Sequence, residues 1–339
     1  MRDVVDGRWA ESAGDSDLVL GEGLWALPGL VDAHSHVSAA ELDYRPGSLD
    51  GAMTRAAHAL RAGVMLLLDK GWTDDVAVRL ADAMPSEERP DIEAAAVLIA
   101  GVGGYYPDFA REVTPEQLEA AVAAEAKAGR GWVKLVGDWP RKGVGPVANF
   151  DEGQLRKAVG VASALEAKVA IHTMAREVPS MAVAAGVHSI EHGLFLTEED
   201  IALLAARSGM WVPTLLRIEE TIAQLGKESS GGSLLSEGLS NTRSLLAGAV
   251  EAGVHVLAGT DLVGAPSELA SEALEMMQYG LSSAQIVDAV SRSGLRATGR
   301  PAGFEVGASA DAVLFAADPL VEPGVLAHPH QVIRRGRVV

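Results

Sequence analysis

Residues 27–36 read LPGLVDAHSH, an apolar run that ends in two histidines separated by one residue. The short aliphatic run predicts a buried β-strand over Leu27–Ala33. Side chains of a strand alternate between its two faces, so His34 and His36 point to the same side and can reach one metal ion. The stretch therefore indicates a strand with a candidate metal site at its carboxyl end.

The rest of the chain repeats a strand-then-helix pattern. Helical stretches such as Pro115–Ala128 and Asp151–Leu165 have amphipathic spacing and separate short aliphatic runs, as in a parallel sheet wrapped by helices. The predicted strands are Leu27–Ala33, Val64–Asp69, Ala94–Ile99, Trp132–Val136, Lys168–Ile171, Ser189–Glu191, Trp211–Thr214 and Val254–Ala258. Eight such units indicate the α/β class and a (β/α)8 TIM barrel, whose usual length is about 250 residues. A doubly wound sheet of eight strands is the alternative, because periodicity does not report barrel closure.

The two ends of the chain predict a second, smaller unit. Strands are expected around Leu18–Leu24, over Ala310–Ala316 and within Gln331–Val339, so the N- and C-terminal segments together predict a small β-sandwich-like subdomain. The expected division is 1–26 with 305–339 for the subdomain and 27–304 for the barrel. A helix is expected over Ser267–Tyr279, and a capping box of Ser282 and Gln285 predicts the start of another.

One segment departs from this pattern. Residues 224–243 read QLGKESSGGSLLSEGLSNTR and are rich in glycine and serine, which predicts a long mobile loop. The loop is interpreted either as a surface insertion or as a lid over the site.

Composition excludes several functional classes. The 339 residues include 28 Lys+Arg and 46 Asp+Glu, for a net charge of −18, which disfavours nucleic acid and anionic membranes as partners. Cysteine is absent, so disulfides, thiolate nucleophiles, zinc ribbons and iron–sulfur clusters are excluded, and histidines and carboxylates are the strong metal ligands that remain. Neither a targeting signal nor a transmembrane run is evident, and the cytoplasm is the expected compartment.

Further polar residues occur where predicted strands end. His172, His192 and Asp261 follow three later strands, at the edge where barrel enzymes carry their active sites. Lys134 lies inside an apolar strand, where burial is expected to lower its pKa toward the neutral amine. A neutral amine can add carbon dioxide to form a carbamate that bridges two cations; a salt-bridged or snorkelling lysine is the alternative.

The ordered motifs PGLVDAHSH, VKL, IHT, SIEHG and AGTD resemble the metal-dependent amidohydrolase superfamily, especially its imidazolonepropionase-like and dipeptidase-like branches. The resemblance extends from about Gly21 to Val339, and the tail GASADAVLFAADP followed by RRGRVV is similar to the closing β-segment of the family. It implies that His34, His36 and Asp261 bind one metal ion, that His172 and His192 bind a second, and that carboxylated Lys134 bridges both.

The resemblance also implies an activity. A metal-bound hydroxide would attack a carbonyl C–N bond in a small amide, N-acyl amino acid, dipeptide or cyclic amide, with Asp261 as general base and acid and with Lys134 and His192 as further catalytic residues. The cofactors would be two divalent ions, zinc being the first choice and Mn, Fe or Co the others. The alternatives are a mononuclear deaminase or cyclic-amide hydrolase, a lactonase or phosphotriesterase, and a non-catalytic binding relative.

The loops after the strands are the expected place for substrate contacts. The candidates are Tyr105 and Tyr106 for a polarised carbonyl and an arginine for a substrate carboxylate, with Arg141, Arg176 and Arg217 in suitable loops. The expected partner is a small-molecule substrate, without nucleic acid or membrane, and assembly into a homo-oligomer is left open.

Overall fold

The computed structural model describes residues 2–13, 23–39, 47–262 and 268–339. Its strands are β1 Arg2–Val5, β2 Arg8–Glu11, β3 Trp25–Leu27, β4 Leu30–Ser35, β5 Val64–Asp69, β6 Asp91–Ala94, β7 Ile99–Gly101, β8 Arg111–Val113, β9 Trp132–Val136, β10 Asp138–Arg141, β11 Gly145–Ala148, β12 Lys168–Thr173, β13 Ser189–His192, β14 Met210–Val212, β15 His255–Val256, β16 Ala312–Phe315, β17 Gln331–Arg334 and β18 Arg337–Val338.

The helices follow the strands in alternation along most of the chain. They are α1 Leu49–Arg61, α2 Val76–Ala83, α3 Leu118–Ala128, α4 Glu152–Ala164, α5 Val178–Ala184, α6 Glu198–Ala205, α7 Leu215–Leu225, α8 Ser230–Ala252, α9 Leu269–Gln278, α10 Ser283–Ala289 and α11 Arg292–Ala297, with 3-10 turns at Pro115–Gln117 and Pro323–Ala327. None of the helices in these ranges combines the length and apolarity needed to cross a bilayer.

The parallel strands form a closed TIM barrel, as the sequence predicts. Strands β4, β5 and β6 pair in one sheet, and β7, β9, β12, β13, β14 and β15 continue in a sheet with β8 at its edge. The third barrel strand consists of β6 and β7, so the predicted strand Ala94–Ile99 is interrupted in its middle. The ring closes where the amide of Ala33 donates to the carbonyl of Ala258 at 2.9 Å and the amide of Asp261 donates to the carbonyl of His34 at 2.8 Å.

Two apolar layers hold this barrel together. Its interior is filled by side chains from alternate strand positions, including Val31, Leu66, Trp132 and Val212. The opposite strand faces pack against the surrounding helices in a much larger cluster. A strand buried on both faces needs a nearly continuous apolar run, which is why these strands are recognisable in the sequence.

The small antiparallel sheet has the order β18-β17-β16-β3, so it joins Trp25–Leu27 to the C-terminal strands, while β1 and β2 pair in a separate two-stranded sheet. The predicted strand Leu27–Ala33 is divided between β3 and β4, which belong to different sheets. The chain turns between them at Pro28 and Gly29, and Gly29 has a φ of 136°. Most of the predicted strand Leu18–Leu24 lies outside the described residues. The division into 1–26 with 305–339 and 27–304 stays a prediction.

The predicted mobile loop at 224–243 is wrong, because these residues belong largely to α7 and α8. Ser229 caps α8 by accepting the amide of Gly232 at 3.0 Å. A Cβ added to Gly238 would stand 2.6 Å from the Cβ of Leu194. Gly238 thus allows a close contact between α8 and Leu194. The capping box of Ser282 and Gln285 is confirmed at the start of α10.

Candidate active site

The histidine pair lies at the carboxyl end of β4, where one face of the strand opens into the barrel mouth. The Nδ1 atom of His36 donates to the carbonyl of Gly71 at 2.6 Å, and Nδ1 of His34 lies 2.7 Å from Oε2 of Glu191. Both Nε2 atoms lie 3.4 Å from Oδ1 of Asp261. The contacts at Nδ1 therefore leave Nε2 of each ring for a shared ligand.

Asp261, which contacts both histidines, has a left-handed backbone conformation that is rare for residues other than glycine. It has a φ of 43°, and its main chain is held by the amide contact to the His34 carbonyl and by Arg217, whose Nε donates to the Asp261 carbonyl at 2.7 Å. Candidate ligand atoms of His34, His36 and Asp261 all lie within 4.8 Å of one another. Burial would raise the pKa of Asp261, but the neighbouring histidines hold it well below its usual range, so the carboxylate is ionised.

The second histidine pair comes from neighbouring strands, β12 and β13. The Nε2 atom of His192 lies 3.0 Å from Nδ1 of His172. The hydroxyl of Thr214 donates to the carbonyl of Pro213 at 2.8 Å, so it accepts from Nδ1 of His192 at 2.6 Å. This contact assigns the proton of His192 to Nδ1, so the lone pair of Nε2 faces Nδ1 of His172.

The turn after His192 also requires a glycine. His192 and Gly193 both have a φ of 63°. A Cβ at Gly193 would stand 2.7 Å from Nε1 of Trp211, which donates to the carbonyl of His192 at 2.8 Å. The motif SIEHG thus encodes a bend that turns the imidazole into the barrel mouth.

Lys134 occupies the middle of β9 with a side chain that is only 2% exposed. Its Nζ is buried and has no hydrogen-bond partner in the described ranges. Burial lowers its pKa to about 8, as the sequence analysis predicts, with Glu191 opposing this shift. Lys134 lines the same cavity as His34, His172 and His192, and its charge contributes to lowering the pKa values of these histidines.

These side chains are suited to divalent metals. Burial lowers the pKa of His34 to about 3 and that of His192 to about 4, and it holds the pKa of His172 well below its usual range. Neutral imidazoles, an ionised carboxylate and a buried amine without a partner are the forms that metal binding and carbamate formation require. The residues therefore fit divalent ions.

Sequence reasoning missed the charged residues behind the site. Glu191 is fully buried; it accepts from the hydroxyl of Ser189 at 2.6 Å and pairs with Nζ of Lys70 at 3.2 Å as well as with His34. The Lys70 ammonium also lies 4.3 Å from the ring centre of Trp132. Although burial alone would raise it, Lys70 and His34 hold the pKa of Glu191 well below its usual range. Lys134 is recognisable in the sequence as a charged residue within an apolar strand. The same signal, a charged residue within or directly after such a strand, would also have identified Glu191 and Lys70.

A cavity of about 350 Å³ opens onto the candidate ligands. Its walls include Tyr105, Tyr106 and Arg217, together with Asp138 and Trp139 from β10 and with Leu225, Leu234 and Leu235 from α7 and α8. Three of the five predicted substrate residues thus line this cavity, and the helices that replace the predicted loop form part of its wall.

The other two predicted substrate residues have different partners. Arg176 forms a bidentate pair with Glu237 at 2.5 Å for each contact and stacks on Phe195. Arg141 donates to the carbonyl of Val102 and to Asn149. Neither arginine is among the described residues that line the cavity, because each is engaged by a partner distant in sequence.

Comparisons with known proteins agree with this fold. The model of the amidohydrolase family matches residues 25–339. An uncharacterized protein of Mycobacterium tuberculosis is 37% identical over 343 residues, which cover 98% of this chain and 90% of that protein. A crystal structure of a Xaa-Pro dipeptidase with bound methionine is similar with a TM-score of 0.80 and 24% identity, covering 97% of this chain and 90% of that chain.

A prolidase complexed with N-methylphosphonate-L-proline is similar with a TM-score of 0.81 and 22% identity, covering 100% of this chain and 94% of that chain. The family match over residues 25–339 defines a barrel hydrolase that acts on carbon–nitrogen bonds. The chain belongs to the amidohydrolase family, whose members generally use divalent metals.

Proposed function

We propose that the protein is a metal-dependent hydrolase that cleaves the amide bond of a small substrate bearing a carboxylate, such as a dipeptide or an N-acyl amino acid. The observation that carries this proposal is the convergence of His34, His36 and Asp261 within 4.8 Å beside the buried, unpartnered amine of Lys134. This combination supports a catalytic centre because structural sites close all ligand positions with protein groups.

In the proposed centre, His34, His36 and Asp261 hold one ion, and His172 and His192 hold the second. Lys134, once carboxylated on Nζ, would supply a further carboxylate ligand to both ions. Nitrogen and oxygen ligands suit zinc, our first choice, and also Mn, Fe or Co. Bound divalent ions supply a water of lowered pKa and polarise the substrate carbonyl.

The residues of the chain move the proton and position the substrate. Asp261 accepts the proton of the attacking water and delivers it to the amine that leaves when the C–N bond breaks. Its backbone contacts to His34 and Arg217 keep the carboxylate at the centre of the site. The phenols of Tyr105 and Tyr106 lie in the cavity wall as candidate donors to the carbonyl oxygen.

Arg217 supports a substrate with a carboxylate. Its Nε and Nη1 have protein partners, whereas Nη2 is buried and has none in the described ranges. The cavity of about 350 Å³ suits a small molecule. The names of the similar solved structures, a Xaa-Pro dipeptidase and a prolidase, indicate substrates of this class for those proteins.

Metal content and turnover test the centre together. Wild type and Lys134→Ala are loaded with zinc, and the ions per chain and the hydrolysis of dipeptides and N-acyl amino acids are measured. We expect two ions in wild type and, in the variant, loss of the second ion and of activity. Lys168→Ala is the matched control, because Lys168 begins the next strand, β12, and its Nζ donates to the carbonyl of Ala297 at 3.2 Å, outside the ligand set. Two ions and full activity in Lys134→Ala would refute the binuclear proposal.

A mononuclear centre is the second candidate. The ligand atoms of His34, His36 and Asp261 form a complete three-residue group without Lys134. One ion per chain in both wild type and Lys134→Ala, with activity retained, would favour this candidate.

The role of Arg217 in binding a substrate carboxylate is tested with two substrates that differ only in that carboxylate. We expect Arg217→Gln to lower kcat/KM about 10- to 100-fold for a substrate with a free carboxylate, since a charge-assisted hydrogen bond contributes about 1.5–3 kcal/mol. Loss of the contact to the Asp261 carbonyl lowers activity on both substrates alike, so the assignment is tested by the additional loss for the carboxylate over the corresponding carboxamide; an equal loss for both would contradict it.

A further inference from the structure

Asp138 is a buried carboxylate in the cavity wall that the proposed mechanism does not use. It begins β10, directly after the barrel strand that carries Lys134, and its side chain is fully buried. Its Oδ2 accepts the amide of Met174 at 2.9 Å. Its Oδ1 has no hydrogen-bond partner among the residues that the structure describes. A buried carboxylate oxygen without a partner is costly, and a ligand that supplies a donor would remove this cost.

The described groups that shift the pKa of Asp138 are uncharged amides and one carboxylate. Burial raises its pKa to about 7; the amides of Ala175 and Met174 oppose the shift, and the carboxylate of Glu177 reinforces it. None of these groups is a cation, in contrast to Glu191, which faces both Lys70 and His34. A cationic group of a ligand would supply the missing counter-charge.

The neighbouring cavity wall is aromatic. The ring centre of Trp139 lies 4.5 Å from that of Tyr105 and 4.6 Å from that of Tyr106, and all three residues line the cavity together with Asp138. Faces of aromatic rings attract ammonium groups, with a larger effect where the cation is desolvated. A carboxylate beside three rings is therefore a suitable environment for an ammonium group.

Opposite charges lie on different sides of the barrel mouth. Asp138 follows the fourth barrel strand, β9, and Arg217 follows the seventh, β14. Three of the eight strand positions, or about 135° around the barrel axis, separate the two residues. Both residues line the same cavity as the candidate metal ligands. A substrate with an ammonium group at one end and a carboxylate at the other would therefore span the centre.

We propose that Asp138 binds the α-ammonium group of the substrate, so that the enzyme is selective for dipeptides with a free amino terminus over N-acylated amino acids. This inference rests on the proposed amide hydrolysis and narrows its substrate class. It also sets the orientation of the substrate, with the amino-terminal residue at Trp139 and the carboxylate at Arg217.

The test compares substrates that differ only at the amino terminus. Values of kcat/KM are measured for a set of dipeptides and their N-acetylated counterparts, with the zinc-loaded wild type, Asp138→Asn and Glu177→Gln. Wild type should prefer the free dipeptide by at least about tenfold, the effect of one charge-assisted contact. Asp138→Asn should lose most of that preference, because its activity on dipeptides falls while its activity on the acetylated set is retained. Glu177→Gln, which removes a nearby charge at an exposed position outside the cavity lining, should keep the preference.

The ratio of the two kcat/KM values does not depend on the fraction of folded protein, so partial misfolding of a variant does not affect it. If Asp138→Asn lowered kcat/KM equally for both substrate sets, Asp138 would only position the turn at Met174, and the inference would be overturned. A wild-type enzyme that cleaves the acetylated set as well as the free dipeptides would also overturn it, while leaving amide hydrolysis intact. Absence of turnover on every amide by the metal-loaded wild type would instead refute the proposed function itself.

Discussion

Replacement of Glu191 by glutamine is expected to destabilise the protein strongly, because this carboxylate balances two buried groups. Lys70 is 1% exposed and lies 3.2 Å from Oε1, and Nδ1 of His34 lies 2.7 Å from Oε2. A glutamine removes the charge and directs an amide N–H at one of these donors. Breaking a buried pair on one side costs about 3–5 kcal/mol, a large part of the roughly 5–15 kcal/mol by which domains are stable.

The measurement is urea-induced unfolding of the metal-free protein. The double variant Glu191→Gln with Lys70→Met should recover part of the loss, because no unpaired ammonium then remains buried, and a coupling of about 0.5–3 kcal/mol is expected for groups in contact. A loss below about 1 kcal/mol in Glu191→Gln, or strictly additive effects in the double variant, would refute the role of this pair.

The same substitution should weaken metal binding. Glu191 orients the His34 ring through Nδ1, and loss of such a supporting partner typically costs about 10- to 100-fold in metal affinity. Competition with a chelator measures this effect. Glu125→Gln is the control, since Glu125 is also buried but pairs with Arg111 on the outside of the barrel. If Glu125→Gln lowered the metal affinity equally, the effect would be one of general stability.

Two further predictions concern the helices around the barrel. Gly238→Ala should lower the free energy of unfolding by about 1–3 kcal/mol, because the added methyl group overpacks against Leu194. Gly248→Ala, at an exposed position of the same helix with open space around it, should raise the free energy of unfolding by up to about 1 kcal/mol. Equal shifts of the two variants in urea unfolding would contradict the tight contact at Gly238. Burial raises the pKa of Glu272 to about 8 from 4.5, so the folded protein keeps a proton that the unfolded chain has lost, and stability falls as pH rises through this window. Between pH 5 and pH 7 the unfolding free energy of wild type should therefore fall by about 2 to 3 kcal/mol relative to Glu272→Gln, and a constant difference between the two proteins would contradict this pKa.

Local sequence determined much of the barrel. Strands β5 and β9 match their predicted bounds, because a strand buried on both faces needs an unbroken apolar run. The candidate ligands were recognisable for a related reason, since parallel strands of a barrel bring their carboxyl ends to one edge, where polar residues after separate strands must meet. Lys134 was recognisable as a charge within such a run.

Tertiary structure decided what depends on contacts between distant residues. Glycines in this segment predicted a mobile loop, yet most of it is helical, and Gly238 lets α8 approach Leu194 closely. Of the three candidate arginines, Arg217 lines the cavity, while Arg176 is paired with Glu237 and Arg141 with Asn149. Single-sequence patterns report which face of an element is buried but not which group pairs with a given charge. The choice among these arginines, and the unpartnered oxygen of Asp138, therefore became visible only in the folded chain.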